Sequence, residues 1–162
     1  MKSRKKLVNF AVGAIIAALY VVLTYLASAL GLSSGVIQVR FSEALTILPI
    51  FTPAAIPGLF VGCLLSNLLT GCALWDVVFG SLATLLGAIF TYLLRNHKIL
   101  ATLPPIIANA LIVPPVLILV YGVQDAYWFI LLTVAIGEVI SCGVLGTALR
   151  KALEKSRIFE RI

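Results

Sequence analysis

Charge is scarce in this chain. Only 11% of its 162 residues are Asp, Glu, Lys or Arg, less than half of the roughly one-quarter found in a soluble domain. Apolar residues make up 62%, and the mean hydropathy is +1.15. A single domain of this length has no interior large enough to hide so much apolar surface, so a bilayer is the expected solvent. Histidine and cysteine are also few. His97 stands alone in "RNHK", and Cys63, Cys72 and Cys142 lie in or beside apolar runs without metal-ligand spacing. The cysteines read as unpaired packing residues, and no metal site is expected. The sequence has no GxxxxGK[ST], which excludes a P-loop ATPase of its own, and no HExxH.

What charge there is runs positive, +6 in all, and falls in short clusters between long apolar runs. That distribution argues against nucleic acid as a partner. The opening "MKSRKK", an apolar run and "ASA" at 27–29 imitate a secretory leader. However, the run from Leu7 to Leu26 exceeds the roughly 7–15 residues of a leader's apolar core. It reads as a retained spanning helix.

A crossing needs about 20 apolar residues. Stretches 7–30, 76–94, 99–120 and 127–149 meet that need, whereas 44–71 holds Pro49, Pro53 and Pro57. Basic residues choose between one helix there and two. With two, 44–54 and 57–71, there are six spans. Lys2, Arg4, Lys5, Lys6, Arg95, Lys98, Arg150, Lys151, Lys155, Arg157 and Arg161 then share the cytoplasmic side, leaving Arg40 alone outside. One helix would put Arg95, Lys98 and the basic tail 150–162 outside. The expected fold is therefore a single all-α membrane domain over 1–162, with six spans and both termini cytoplasmic. The second and third spans fall short of a full crossing, and proline-broken segments at membrane depth persist only against protein or a water-filled cavity.

The acids then separate. Glu154 and Glu160 belong to the cytoplasmic tail, and Asp125 to an outer loop. Glu43 opens the second span from outside, Asp76 opens the fourth, and Glu138 sits near the middle of the sixth. A carboxylate at mid-membrane costs about 2.5–3.5 kcal/mol on insertion scales, so it faces an interior or a cavity. Asn67 and Asn109 add amides, whose bland reading is helix-to-helix hydrogen bonding. All five groups fall between the outer surface and the midplane, which points to one chamber opening outward with Arg40 at its rim. Carboxylates accept paired N–H donors, and amides match mixed edges. A flat heterocycle with an amidine-like N–H pair suits this chamber, and a phosphate does not. Arg40 either contacts the ligand or neutralises Glu43 one turn away. On the first span, Ala14 and Ala18, with Ala11 beside them, form a small-residue face suited to close helix approach.

The sequence also resembles the queuosine-precursor transporter family, the substrate-binding S components of energy-coupling factor importers. The resemblance rests on Tyr20 in "AALYVVLT", "IQVRFSEALTILP" with Gln38, Arg40 and Glu43, and "AIPGLFVGCLLSNLLTG" with Pro57, Gly58 and Asn67. It continues through "WDVVFGSLATLLGA" with Asp76, Gly80 and Thr84, "LPPIIANALIVP" with Asn109, and "IGEVI" with Gly137 and Glu138. It implies a prokaryotic plasma-membrane protein whose Ala14 and Ala18 dock on a transmembrane coupling protein served by two cytoplasmic ATPases. It also implies an outer lid at about 31–42 and a 7-deazaguanine ligand, queuine or its cyano- and aminomethyl precursors. Glu138 or Glu43 would then take the guanine edge, Asp76 the 7-substituent, and Asn67 and Asn109 the ring plane. No cofactor is implied. Two other readings stay open: a binder of another vitamin-like molecule, and a structural protein or acid-pair hydrolase using Asp76 and Glu138.

Overall fold

Proline and glycine cut the apolar sequence into helices. In the computed structural model, which describes residues 2–33 and 37–156, the α-helices are α1 (Lys2–Ala29), α2 (Ala55–Leu69), α3 (Leu74–Leu93), α4 (Leu103–Tyr121), α5 (Tyr127–Glu138) and α6 (Gly146–Ser156). No strand occurs among the described residues. Positions 34–36 of the expected lid, and Arg157, Glu160 and Arg161 of the tail, lie outside them. Pro57 falls in the first turn of α2, and Pro104 and Pro105 in that of α4. A missing N–H costs nothing there, because the first turn has no intrahelical acceptor for it. Gly122, at φ 65°, closes α4 in the left-handed region that glycine tolerates best.

The segment expected at 44–54 is instead a ten-residue 3-10 helix, Phe41–Ile50. Runs of that kind beyond three or four residues are uncommon. Here the surrounding protein accounts for it: Ser42 to Pro49 are all buried, enclosed by α1, α3, α6 and the stretch after Glu138. The thin 3-10 rod, about 20 Å long at 2.0 Å per residue, runs through the middle of the bundle. It delivers Ser42, Glu43 and Thr46 to the core as polar side chains. The last helix is also irregular. Val139–Leu145 is π-helical and joins α5 to α6 in one continuous rod.

Cross-helix contacts fix the directions. Gly13 of α1 meets Gly58 of α2, and the Tyr25 hydroxyl donates to the Leu69 carbonyl at 2.9 Å, so α1 and α2 run parallel. Thr84 of α3 donates to the Cys63 sulfur at 3.3 Å while Gly80 faces Asn67, which makes α3 antiparallel to α2. The Thr91 hydroxyl reaches the Ala101 carbonyl at 3.0 Å and Tyr121 reaches Asp76 at 3.2 Å, so α4 turns back again. The start of α1 and the end of α6 consequently lie at the same end of the bundle. There Glu154 pairs with Lys98 at 2.8 Å and with Arg150 at 3.0 Å, tying the turn after α3 to α6. Four helical stretches (Ser3–Ala29, Leu74–Leu93, Leu100–Tyr121 and Tyr127–Ser156) are long and apolar enough to cross a membrane, and the protein is a helical membrane protein.

Candidate functional site

Glu43 enters the core as the third residue of the 3-10 helix and is 2% exposed. The Tyr20 hydroxyl of α1 donates to its Oε1, whereas Oε2 has no hydrogen-bond partner although it is buried. On its far side stands the π-helical junction. Glu138 ends α5, and Cys142 one turn later donates its thiol to Glu138 Oε2 at 3.2 Å. Thr46 donates to the same sulfur at 3.4 Å. One donor atom each from Glu43, Glu138 and Cys142 lie within 4.8 Å of one another. Cys142 is unpaired and buried, as read from sequence, and its thiol also joins this cluster. The i, i+4 spacing of Glu138 and Cys142 was the available signal, since it puts both on one helix face.

The loop before the 3-10 helix closes over this pair. The Arg40 backbone N–H donates to the Ser141 hydroxyl at 3.1 Å, and the Val39 N–H to the Leu32 carbonyl at 3.0 Å. Gln38 and Arg40 from the loop, Asn109 from α4 and Glu138 from α5 line a cavity of about 50 Å³. Pockets for drug-sized ligands typically run from about 300 Å³ upward, so this cavity is smaller than such a ligand needs. Asn109, 4% exposed, donates to the Pro105 carbonyl at 3.1 Å and shares the cavity wall with Glu138. Of the two alternatives for Arg40, the structure shows its place on the cavity wall, and no ion pair within 4.0 Å joins it to Glu43 among the described residues.

The other two expected residues form a second arm. Asn67 and Asp76 are both buried and both face Gly80, whose missing side chain leaves room for them. Asn67 contacts the Cys63 sulfur at 3.6 Å, and the Thr84 hydroxyl donates to the same sulfur at 3.3 Å. Asp76 Oδ2 accepts from Tyr121. The structure thus places Arg40, Asn109 and Glu138 on one cavity, Glu43 directly behind it, and Asn67 with Asp76 against Gly80 rather than on the cavity wall. Tyr20, Cys63 and Ser141 join the network without having been singled out as site residues.

Ala14 and Ala18 are exposed on α1, as is Ala11, while Gly13, Ala17 and Tyr20 turn inward. Gly80, Ala83, Thr84 and Gly87 on α3 are buried and pack internally. A larger groove of about 710 Å³ lies between α3 and α4, lined by Trp75, Phe79, Ile112 and Pro115 among others. It carries no charged group and therefore gives no handle on a polar ligand.

The family model described as "QueT transporter" matches residues 10–155. Over 73 residues the chain is 42% identical to the protein named queuosine precursor transporter QueT of Lactococcus lactis subsp. cremoris (strain MG1363). That stretch covers 44% of this chain and 42% of the relative, so the match spans less than half of the relative's length. No solved structure matches the chain significantly.

Proposed function

Because this chain belongs to the QueT transporter family, we propose that it is the membrane-embedded substrate-binding subunit of an energy-coupling factor importer, capturing a 7-deazaguanine base from outside the cell. The family is one of transporters rather than enzymes, and a multi-pass protein of this kind resides in the prokaryotic plasma membrane. The observation that carries the ligand reading is the convergence of Arg40, Asn109 and Glu138 on one cavity, with Glu43 behind it. A guanine-like edge presents N–H donors for a carboxylate and a carbonyl oxygen for a guanidinium or an amide.

In this reading the bundle has six membrane segments and both termini lie in the cytoplasm. The basic clusters at the shared end of α1 and α6 support that orientation. The short second and third segments are held by surrounding helices instead of lipid. The loop over the cavity is the outer lid, and the small size of the cavity fits a shut form of the site. The exposed face at Ala14 and Ala18 receives the coupling protein, whose two ATPases supply the energy that this chain has no motif to supply. Co-reconstitution with a coupling protein and its ATPases tests the assignment. ATP-dependent uptake of a labelled 7-deazaguanine base is the expected result, and absence of both uptake and complex formation would refute it.

A further inference from the structure

We propose that the outer half of α4 is a movable wall of the cavity. Hinged at Pro114–Pro115, it shifts from α5 toward α3 to admit a ligand, and the apolar groove between α3 and α4 supplies the space. This rests on the ligand reading above and adds how so small a site takes a ligand in.

The cavity of about 50 Å³ has Val113 and Leu117 of α4 on one wall and Thr133 and Val134 of α5 on another. A pocket of about 300 Å³, the low end for a drug-sized ligand, requires a wall to move outward. The groove of about 710 Å³ borders α4 on its α3 side, where Trp75 and Phe79 share it with Ile112, Pro115, Val116 and Leu119. The two spaces thus have α4 as their partition, and shifting the partition trades one volume for the other.

The partition has a break in it. Pro114 and Pro115 carry no N–H, which removes the two consecutive ladder bonds to the Ala110 and Leu111 carbonyls. Helices bend at such gaps. Packing thins beyond the break, since the last buried residue of α4 is Val116. Both ends of α4, by contrast, are tied to α3. A Cβ at Gly87 would stand 2.8 Å from the Pro105 Cα, so the backbones touch at the inner end. At the outer end the Tyr121 hydroxyl donates to Asp76 at 3.2 Å and accepts from the Ala73 N–H at 3.1 Å. The ends stay fixed while the stretch between them moves sideways.

The groove faces the bilayer: Leu119 is 83% exposed and Trp75 59%, both on helices long enough to span it. Its occupant is a lipid acyl chain. Lipid tails are as apolar as the lining, so expelling that chain when α4 moves forfeits no hydrophobic stabilisation.

Trp75 lines the groove and is one of two tryptophans, so it reports the motion directly. The full chain carrying Trp128→Phe is placed in vesicles of phosphatidylcholine with brominated acyl chains. Trp75 emission should be quenched there, and a saturating 7-deazaguanine base (queuine or a precursor) should relieve at least half of the quenching. Ile112→Phe combined with Val120→Phe fills the groove and should weaken base binding at least tenfold without lowering the melting temperature. Pro115→Ala restores one ladder bond and should slow base association at least threefold in protein that melts no lower than the wild type. Quenching unchanged by bound base, or wild-type affinity and association rate in the two folded variants, overturns the moving wall and leaves the ligand reading intact. Absence of calorimetric binding of every 7-deazaguanine base to the wild type overturns both.

Discussion

Gly137 is the surface on which Gln38 rests. A Cβ built at Gly137 would stand 2.2 Å from the Gln38 carbonyl oxygen and 3.2 Å from its carbonyl carbon. No rotamer relieves a clash with backbone, so Gly137→Ala has to lift the 37–40 loop or displace the last helix. Ligand affinity should fall at least tenfold, mainly through faster release, with a stability cost of about 1–3 kcal/mol for overpacking. Dissociation kinetics of a labelled base separate the two effects. An unchanged off-rate would show that the loop does not retain ligand.

Tyr20 holds Glu43. Tyr20→Phe keeps the ring and deletes the hydroxyl, leaving both oxygens of a buried carboxylate without a protein donor. The loss should be about 1–3 kcal/mol in stability, together with weaker ligand binding. Thermal melts in one detergent, with and without base, read both quantities. Bound base should raise the melting temperature of Tyr20→Phe by less than it raises that of the wild type, since ligand stabilisation scales with affinity.

The two faces of α1 should respond oppositely. Gly58→Ala brings a Cβ to 2.6 Å from the Gly13 carbonyl oxygen, so the parallel α1–α2 contact must open and stability must drop. Ala14→Leu and Ala18→Leu add bulk to exposed positions. They should leave melting and ligand binding unchanged and abolish co-purification with the coupling protein. Retained co-purification would move the docking face elsewhere.

At the end where the helix termini meet, exposure decides between two partners. Glu154 is about one-third exposed at its side chain, so Glu154→Gln should cost little stability despite two ion pairs, because solvent screens them. Arg150 is 8% exposed, and its buried Nε lacks a partner. Arg150→Ala should therefore cost more than Glu154→Gln through lost packing alone. Chemical or thermal unfolding of the two variants ranks them.

Much of this was legible because membrane proteins concentrate their information in few residues. Where charge is rare, each buried carboxylate or amide has to be matched, and Glu43, Asn67, Asp76, Asn109 and Glu138 stood out for that reason. The break between the second and third segments was visible in Pro53 and Pro57. The 3-10 form of Phe41–Ile50 was not, because it depends on four neighbouring elements closing around a rod too thin to be read from apolar spacing. Cys142 was missed for a related cause. Its contacts depend on the π-helical turn at Val139–Leu145 and on Glu43, which lies 99 positions away in sequence. The separation of the Asn67–Asp76 pair at Gly80 from the Arg40–Asn109–Glu138 cavity is likewise a product of packing, since depth in the membrane says nothing about which helix face a side chain takes.

Calorimetric titration of the purified wild-type chain with 7-deazaguanine bases, with adenine as the mismatched control, decides whether the Arg40–Asn109–Glu138 cavity is a binding site. Saturable heat at one base per chain, lost in Glu43→Gln combined with Asn109→Ala and absent with adenine, is the expected result. No heat with any 7-deazaguanine, or equal binding of adenine, would contradict it.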